Sequence, residues 1–303
     1  MIEFDDCHMA YGQNQVLSGL SFRALDGRVT GLVGPNGAGK STAFKILLGL
    51  VEPGRGGATV DGRRHGEHPN PGQILGTYLG AQHIPPQMTG ESFLAFVADL
   101  LGVSRAGNAA YLETVGLAHA AQRRVKGYSL GMRQRLGVAA AFVGEPQNLV
   151  LDEPVNGLDI EGVRWLRDYL RSAADEGRCI LLSSHLLSEL ELVADDVVML
   201  GQGRTSRTGT LGELRQEASP AVVVVSADDA ALAASLEAQG LAARATDRGV
   251  EIADLPLLRV AAAVGAQQVP VSSITVATRR LEDVYMEQVE ADAMGARREG
   301  APS

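Results

Sequence analysis

The segment Val29-Thr30-Gly31-Leu32-Val33 leads without interruption into Gly34-Pro35-Asn36-Gly37-Ala38-Gly39-Lys40-Ser41-Thr42, and helical apolar spacing continues from Ser41 to Leu48. A strand, a glycine-rich turn and a helix in immediate succession are one half of a crossover unit, and the chain repeats that alternation over its first two hundred or so residues. Expected strands are Leu20–Leu25, Val29–Val33, Ala58–Val60, Leu149–Leu151, Cys179–Leu182 and Val197–Leu200. Leu149–Leu151 and Cys179–Leu182 are continuous apolar runs, the pattern of central strands covered on both faces. Between Thr89 and Glu145 the periodicity turns helical, over Glu91–Leu101, Ala109–Val115 and Leu130–Val143. The fold class expected is therefore α/β, a mostly parallel sheet with a helical insert at about 89–145.

From about Ser219 the pattern changes. Strands are expected at Ala221–Val225, Leu241–Ala245, Val250–Ala253 and Val271–Val276, and helices at Asp228–Ala238, Leu255–Val264 and Leu281–Val289. The order βαββαβ predicts a small ferredoxin-like α+β domain over 219–290, after a first domain at 1–215 and before a disordered tail at 291–303.

Composition narrows the class further. A chain of 303 residues with 45% hydrophobic and 21% charged residues buries a sizeable core. Its formal net charge of −9 disfavours a general nucleic-acid binder. The uncharged run Val260–Thr278 is interrupted by Gln267, Gln268 and Pro270, so no membrane span is expected. The start, Met1-Ile2-Glu3-Phe4-Asp5-Asp6, is acidic where a secretory signal is basic, and Cys7 and Cys179 form no disulfide framework. The cytoplasm is the expected compartment. Lysine is scarce: Lys40, Lys45 and Lys126 are the only three among 27 basic residues, which makes the position of Lys40 informative.

Gly34–Thr42 fits G-x-x-x-x-G-K-[ST] in the strand–turn–helix context that gives the motif its mechanics. Its glycines let consecutive amides point inward around a polyphosphate, at the positive end of the following helix. Lys40 then reaches the β- and γ-phosphates, and the Ser41 hydroxyl is placed to ligate Mg²⁺. Downstream, Asn148-Leu149-Val150-Leu151 ends in Asp152-Glu153. Alternation along the strand sends the two carboxylates different ways, so Asp152 is expected on Mg²⁺ and Glu153 on the attacking water. His185, after Ser183-Ser184, is placed to address the γ-phosphate or that water.

Gly127-Tyr128-Ser129-Leu130-Gly131-Met132 opens a long amphipathic helix and forms a second anion-binding turn. One nucleotide needs only one cradle. The economical reading is that Ser129, with Leu130 and Gly131, closes over the nucleotide held by another copy.

With these motifs in this order, Met1–Leu214 resembles the ATP-binding subunit of ABC transporters, and most closely the branch serving drug and antibiotic exporters. The resemblance implies that Tyr11 stacks on adenine, that Gly34–Thr42 is the phosphate loop, and that Tyr128–Met132 is the signature. It also makes Asp152 the magnesium aspartate, Glu153 the catalytic glutamate, Asn156–Asp159 the loop linking two sites, and His185 the switch histidine. ATP and Mg are the implied cofactors. The implied partners are a second, identical subunit and a separately encoded membrane permease, which would hold the protein at the inner face of the membrane. Leu281–Tyr285 resembles the closing helix of the accessory region in that branch. The alternative class is a soluble ABC ATPase acting on ribosomes or nucleic-acid complexes; one ATPase unit, no heptad run and the acidic charge disfavour it.

The chain departs from the family pattern in two places. The signature carries Tyr128, Leu130 and Met132 where leucine, glycine and glutamine are usual, but keeps Ser129 and Gly131. The glutamine expected before the helical insert aligns with Gly80, and Gln82, two residues on, is the substitute. His65-Gly66-Glu67-His68 looks like a metal cluster but sits in a Gly/Pro-rich connection, where a solvated loop is expected instead.

Overall fold

A computed structural model of the chain describes residues 1–185, 187–217, 221–253, 255–267 and 269–277. The expected closing helix Leu281–Val289 and the tail Ala291–Ser303 lie outside the described residues. The chain divides into two units, Met1–Leu211 and Gly212–Glu290.

In chain order the first unit runs β1 Ile2–Tyr11, β2 Asn14–Ala24, β3 Val29–Val33, α1 Lys40–Leu47, β4 Arg55–Val60, α2 Pro71–Ile74, β5 Leu75–Tyr78, α3 Gly90–Leu101 and α4 Asn108–Thr114. It continues through α5 Leu130–Phe142, β6 Asn148–Leu151, α6 Ile160–Asp175, β7 Cys179–Ser184, α7 Leu187–Val193, β8 Asp196–Gly201 and β9 Arg204–Thr210, and α8 Leu211–Glu217 follows. Six strands form a sheet in the order β5-β6-β7-β3-β8-β9, parallel throughout except for the antiparallel edge β9. β3, β6 and β7 are buried along their whole length, as their unbroken apolar runs require.

A second, antiparallel sheet takes the order β2-β1-β4. Its inward residues Ile2, Phe4, Leu20 and Val60 share one core with Phe44 and Leu47 of α1 and with Val150 and Leu181 of the parallel sheet. Phe4 and Phe22 stack at 4.6 Å between ring centroids. Asp6 takes a left-handed φ of 44° where the β1 register slips against both neighbours. Opposite it, Gly56 has φ 71°, and a Cβ there would overlap the Asp5 and Asp6 carbonyls. Gly56→Ala is accordingly expected to cost about 3 kcal/mol, read as a lower denaturant midpoint at unchanged slope. A midpoint within about 0.5 kcal/mol of the parent would mean that the bulge re-registers freely.

α3, α4 and α5 close over their own core of Leu94, Ala98, Leu112, Leu117, Leu136 and Val143. Thr89 caps α3 in a reciprocal bond with Ser92, and Ser129 caps α5. A ladder of side chains ties this insert to α6: Arg135 lies 5.1 Å over the Trp165 ring, Trp165 stacks on Tyr169 at 5.6 Å, and the Trp165 indole N–H donates to Thr114 O at 3.0 Å.

In the second unit β10 Ala221–Ser226, α9 Asp229–Glu237, β11 Ala243–Thr246, β12 Gly249–Ile252, α10 Leu257–Gly265 and β13 Val271–Ala277 follow one another. Its sheet is antiparallel, in the order β11-β12-β10-β13. Two starts differ from expectation by two residues, and the other boundaries by one residue at most. Leu241 is held in a turn by its N–H bond to Leu236 O, so β11 starts at Ala243 and not Leu241. Pro256 adopts an extended conformation as the α10 cap, so that helix starts at Leu257 and not Leu255.

Candidate functional site

β6, β7 and β3 are adjacent in the sheet, and each ends on the same edge in a residue with chemistry to offer. The carboxyl ends of parallel strands are where an open α/β sheet accepts ligands. After β3 the loop 34–39 turns into α1, whose first residue follows Gly39, the cap, at φ 108°. A cavity of about 620 Å³ opens over this loop, with Gly37, Lys40, Ser41, Glu153, Asn156 and His185 among its walls.

Lys40 is buried, 6% exposed. Its ammonium donates to Gly34 O at 2.6 Å and lies 3.6 Å from Glu153 Oε1, so the cation bends back along the loop toward the carboxylate. Ser41 Oγ donates to Asp152 Oδ2 at 3.1 Å. On the other side, Ser183 Oγ donates to Asp152 Oδ1 at 2.5 Å and accepts from the Glu153 backbone N–H at 2.9 Å. Asp152 is thereby fixed in orientation by hydroxyls from two neighbouring elements. Glu153 follows with φ 49°, a left-handed conformation that a glutamate adopts only where surrounding contacts enforce it. Its Oε2 accepts from His185 Nδ1–H at 2.8 Å. A carboxylate only accepts, so Nδ1 carries the proton and Nε2 is the imidazole nitrogen available to a ligand.

A second pocket of about 280 Å³ adjoins the first, shares Glu153 and Asn156 with it and adds Asp152. Gln82 and Leu130 line it, as does Tyr78, whose hydroxyl is pushed up to about 12 by burial and then by the Asp152 charge. Gly80 has φ 114°, and a Cβ there would strike the Gln82 amide. The residue at the usual glutamine position is therefore a glycine that makes room for a glutamine two places on.

Gly34–Thr42, Asp152, Glu153 and His185 thus converge. Tyr11 is 47% exposed at the end of β1, outside the cavity wall, which Asn14 and Val16 of the same hairpin supply. Ser129 and Asp159 serve as helix caps, accepting from Met132 N–H at 3.2 Å and Gly162 N–H at 2.7 Å. Neither they nor Gly131 belongs to the walls of the cavity in the same chain. His65 and His68 bond to the Leu48 and Val60 carbonyls, and no metal-binding group of three His, Cys, Asp or Glu occurs among the described residues.

Ser183 is the residue that sequence reasoning missed. The available signal was a pair of hydroxyls closing an otherwise apolar strand, where both side chains end up fully buried.

A glycine cradle at a helix start, a buried lysine and an acidic strand end define a nucleotide-hydrolysing P-loop protein. A family model described as ABC transporter matches residues 17–156. The chain is 33% identical over 287 residues to the uncharacterized ABC transporter ATP-binding protein YdbJ of Bacillus subtilis, covering 92% of each chain. It is 36% identical over 204 residues to the lantibiotic transport ATP-binding protein SrtF of Streptococcus pyogenes, covering 67% of this chain and 88% of that one. A solved ATP-binding subunit of an ABC transporter superposes with a TM-score of 0.64 at 30% identity, over 72% of this chain and 92% of its own. The chain belongs to the ATP-binding subunits of ABC transporters: it binds ATP, is an ATPase, and works with a membrane permease. No helix among the described residues is long and apolar enough to cross a membrane.

Proposed function

We propose that this chain powers a separately encoded permease that exports antibiotics, drugs or lipids, acting as a cytoplasmic homodimer on the inner face of the membrane. The likeness to a lantibiotic transport protein supports the cargo class. The observation that carries the mechanism is the meeting of Lys40, Ser41, Glu153 and His185 on one cavity, with Asp152 bonded to Ser41 beside it.

In this reading the inward amides of Gly34–Gly39 and the Lys40 ammonium hold the β- and γ-phosphates. Two hard oxygen donors, Ser41 Oγ and an Asp152 carboxylate locked by Ser183, lie 3.1 Å apart, which fits a magnesium site. Magnesium, when bound, neutralises charge on the β- and γ-phosphate oxygens. Glu153 takes the proton of the attacking water as its oxygen bonds to the γ-phosphorus and the bond to the ADP oxygen breaks. His185, held by Glu153 through Nδ1, presents Nε2 to the γ-phosphate side. Tyr11 is read as the adenine-stacking residue, with Gln82 replacing the usual glutamine beside Asp152. The second unit is read as a ferredoxin-like accessory domain, which its strand order supports.

Ser129, Leu130, Gly131 and Asp159 are assigned to the nucleotide of the second subunit, since none of them walls the cavity over Gly37 and Lys40 in their own chain, although Leu130 lines the adjoining pocket. Mixing two inactive proteins tests this. Lys40→Ala and Ser129→Arg subunits together rebuild one intact composite site in each mixed dimer, so ATPase activity is expected to return to roughly a quarter of the parental level. A mixture as inactive as its components would remove Ser129 from the trans role.

A further inference from the structure

Gln134 sits on α5, a little over one turn beyond the Ser129 cap, and is 4% exposed. Its Oε1 is buried and has no hydrogen-bond partner. An orphaned acceptor of this kind costs about 1–3 kcal/mol. Three other buried side-chain atoms among the described residues share that condition, on Thr30, His65 and Asn108. Gln134 alone among the four lines the pocket of about 280 Å³ shared with Asp152, Glu153 and Asn156. The α5 face also lies directly against the turn that follows Glu153: a Cβ on Gly157 would come 2.6 Å from Leu130 Cδ2 and 3.6 Å from Gln134 Oε1.

The lining combines three acceptors with groups able to donate, on Tyr78, Gln82 and Asn156. Gln134 Oε1 accepts, and the two carboxylates only accept. Groups of that kind are joined across a polar pocket by a molecule with two hydrogens to give. A water takes up about 30 Å³, so the pocket has room for it.

We propose that Gln134 is a positioning residue for ATP hydrolysis: Oε1 accepts one hydrogen of a pocket water whose other hydrogen goes to the Glu153 carboxylate. This rests on the reading of Glu153 as the proton acceptor. The link fixes the carboxylate by a second contact besides His185 and couples its position to the helix that begins at Ser129. Movement of α5 then reaches the catalytic carboxylate inside the same subunit, without passing through the nucleotide.

Gln134→Met keeps length and removes the acceptor. In the full chain, with its permease where the isolated subunit is inactive, kcat is expected to fall about tenfold to a hundredfold, with KM for ATP within about twofold of the parent. Gln134→Asn keeps an acceptor that a water can still reach, and is expected to stay within about threefold of the parental kcat. The proposal is overturned by a Met variant at the parental kcat, which would mark the acceptor as idle. Asn and Met variants that are equally slow, or a fall in kcat that tracks lost thermal stability, would overturn it too. Glu153→Gln, assayed alongside, separates the two claims: a slow Glu153→Gln with a fast Gln134→Met defeats the positioning role and leaves the Glu153 reading standing.

Discussion

In Glu153→Gln protein, ATP hydrolysis is expected to drop by about two to four orders of magnitude while ATP affinity stays within a few-fold of the parent. The substitution preserves shape and exchanges only the group that can take a proton. His185 Nδ1–H, now 2.8 Å from a carboxylate oxygen, still finds an acceptor in the amide, so the local geometry survives. The Lys40 ammonium loses the charge that lies 3.6 Å away and becomes more available to phosphate, which opposes any loss of affinity. Single-turnover phosphate release and an equilibrium ATP titration measure the two halves separately. The same variant is expected to accumulate as an ATP-bound dimer in size-exclusion chromatography. Release at the parental rate would take the proton-accepting role away from Glu153.

Lys40→Ala acts on the other half, binding. The ammonium is 6% exposed and already lies along the loop, bonded to Gly34 O at 2.6 Å. Little side-chain entropy is then lost when phosphate replaces carbonyl, and bonds to an ionised group contribute about 1.5–3 kcal/mol each. Contact with two phosphates makes a loss of about a hundredfold in ATP affinity a conservative expectation, since each factor of ten is about 1.4 kcal/mol. Titration calorimetry measures it, and a thermal melt without nucleotide checks that the fold is intact. An unchanged dissociation constant would show that the phosphates lie elsewhere.

Which parts of this molecule could be read from its residues follows from how each is held. β3, β6 and β7 are covered on both faces, so their apolar runs are unbroken and visible. The phosphate loop and the Asp152-Glu153 strand end are local in sequence and equally visible. β9, by contrast, is Arg-Thr-Ser-Arg-Thr-Gly-Thr, an edge strand with no apolar residue, formed by its hydrogen bonds to β8. β1 hides for a different reason: the Asp6 bulge breaks the two-residue period between Phe4 and Cys7. β5 is only four residues long and includes a glycine. Ser183 was invisible as a site residue because its role depends on β7 lying beside β6, a neighbour relation set by topology.

The chain contains one tryptophan, and it stands where α4, α5 and α6 meet, with Arg135 across its ring face and its indole N–H on Thr114. Tryptophan emission, excited to the red of the six tyrosines, therefore has a single source, seated on the seam between α5 and α6. The molecule comes with its own optical gauge for that joint, readable during turnover without any attached dye.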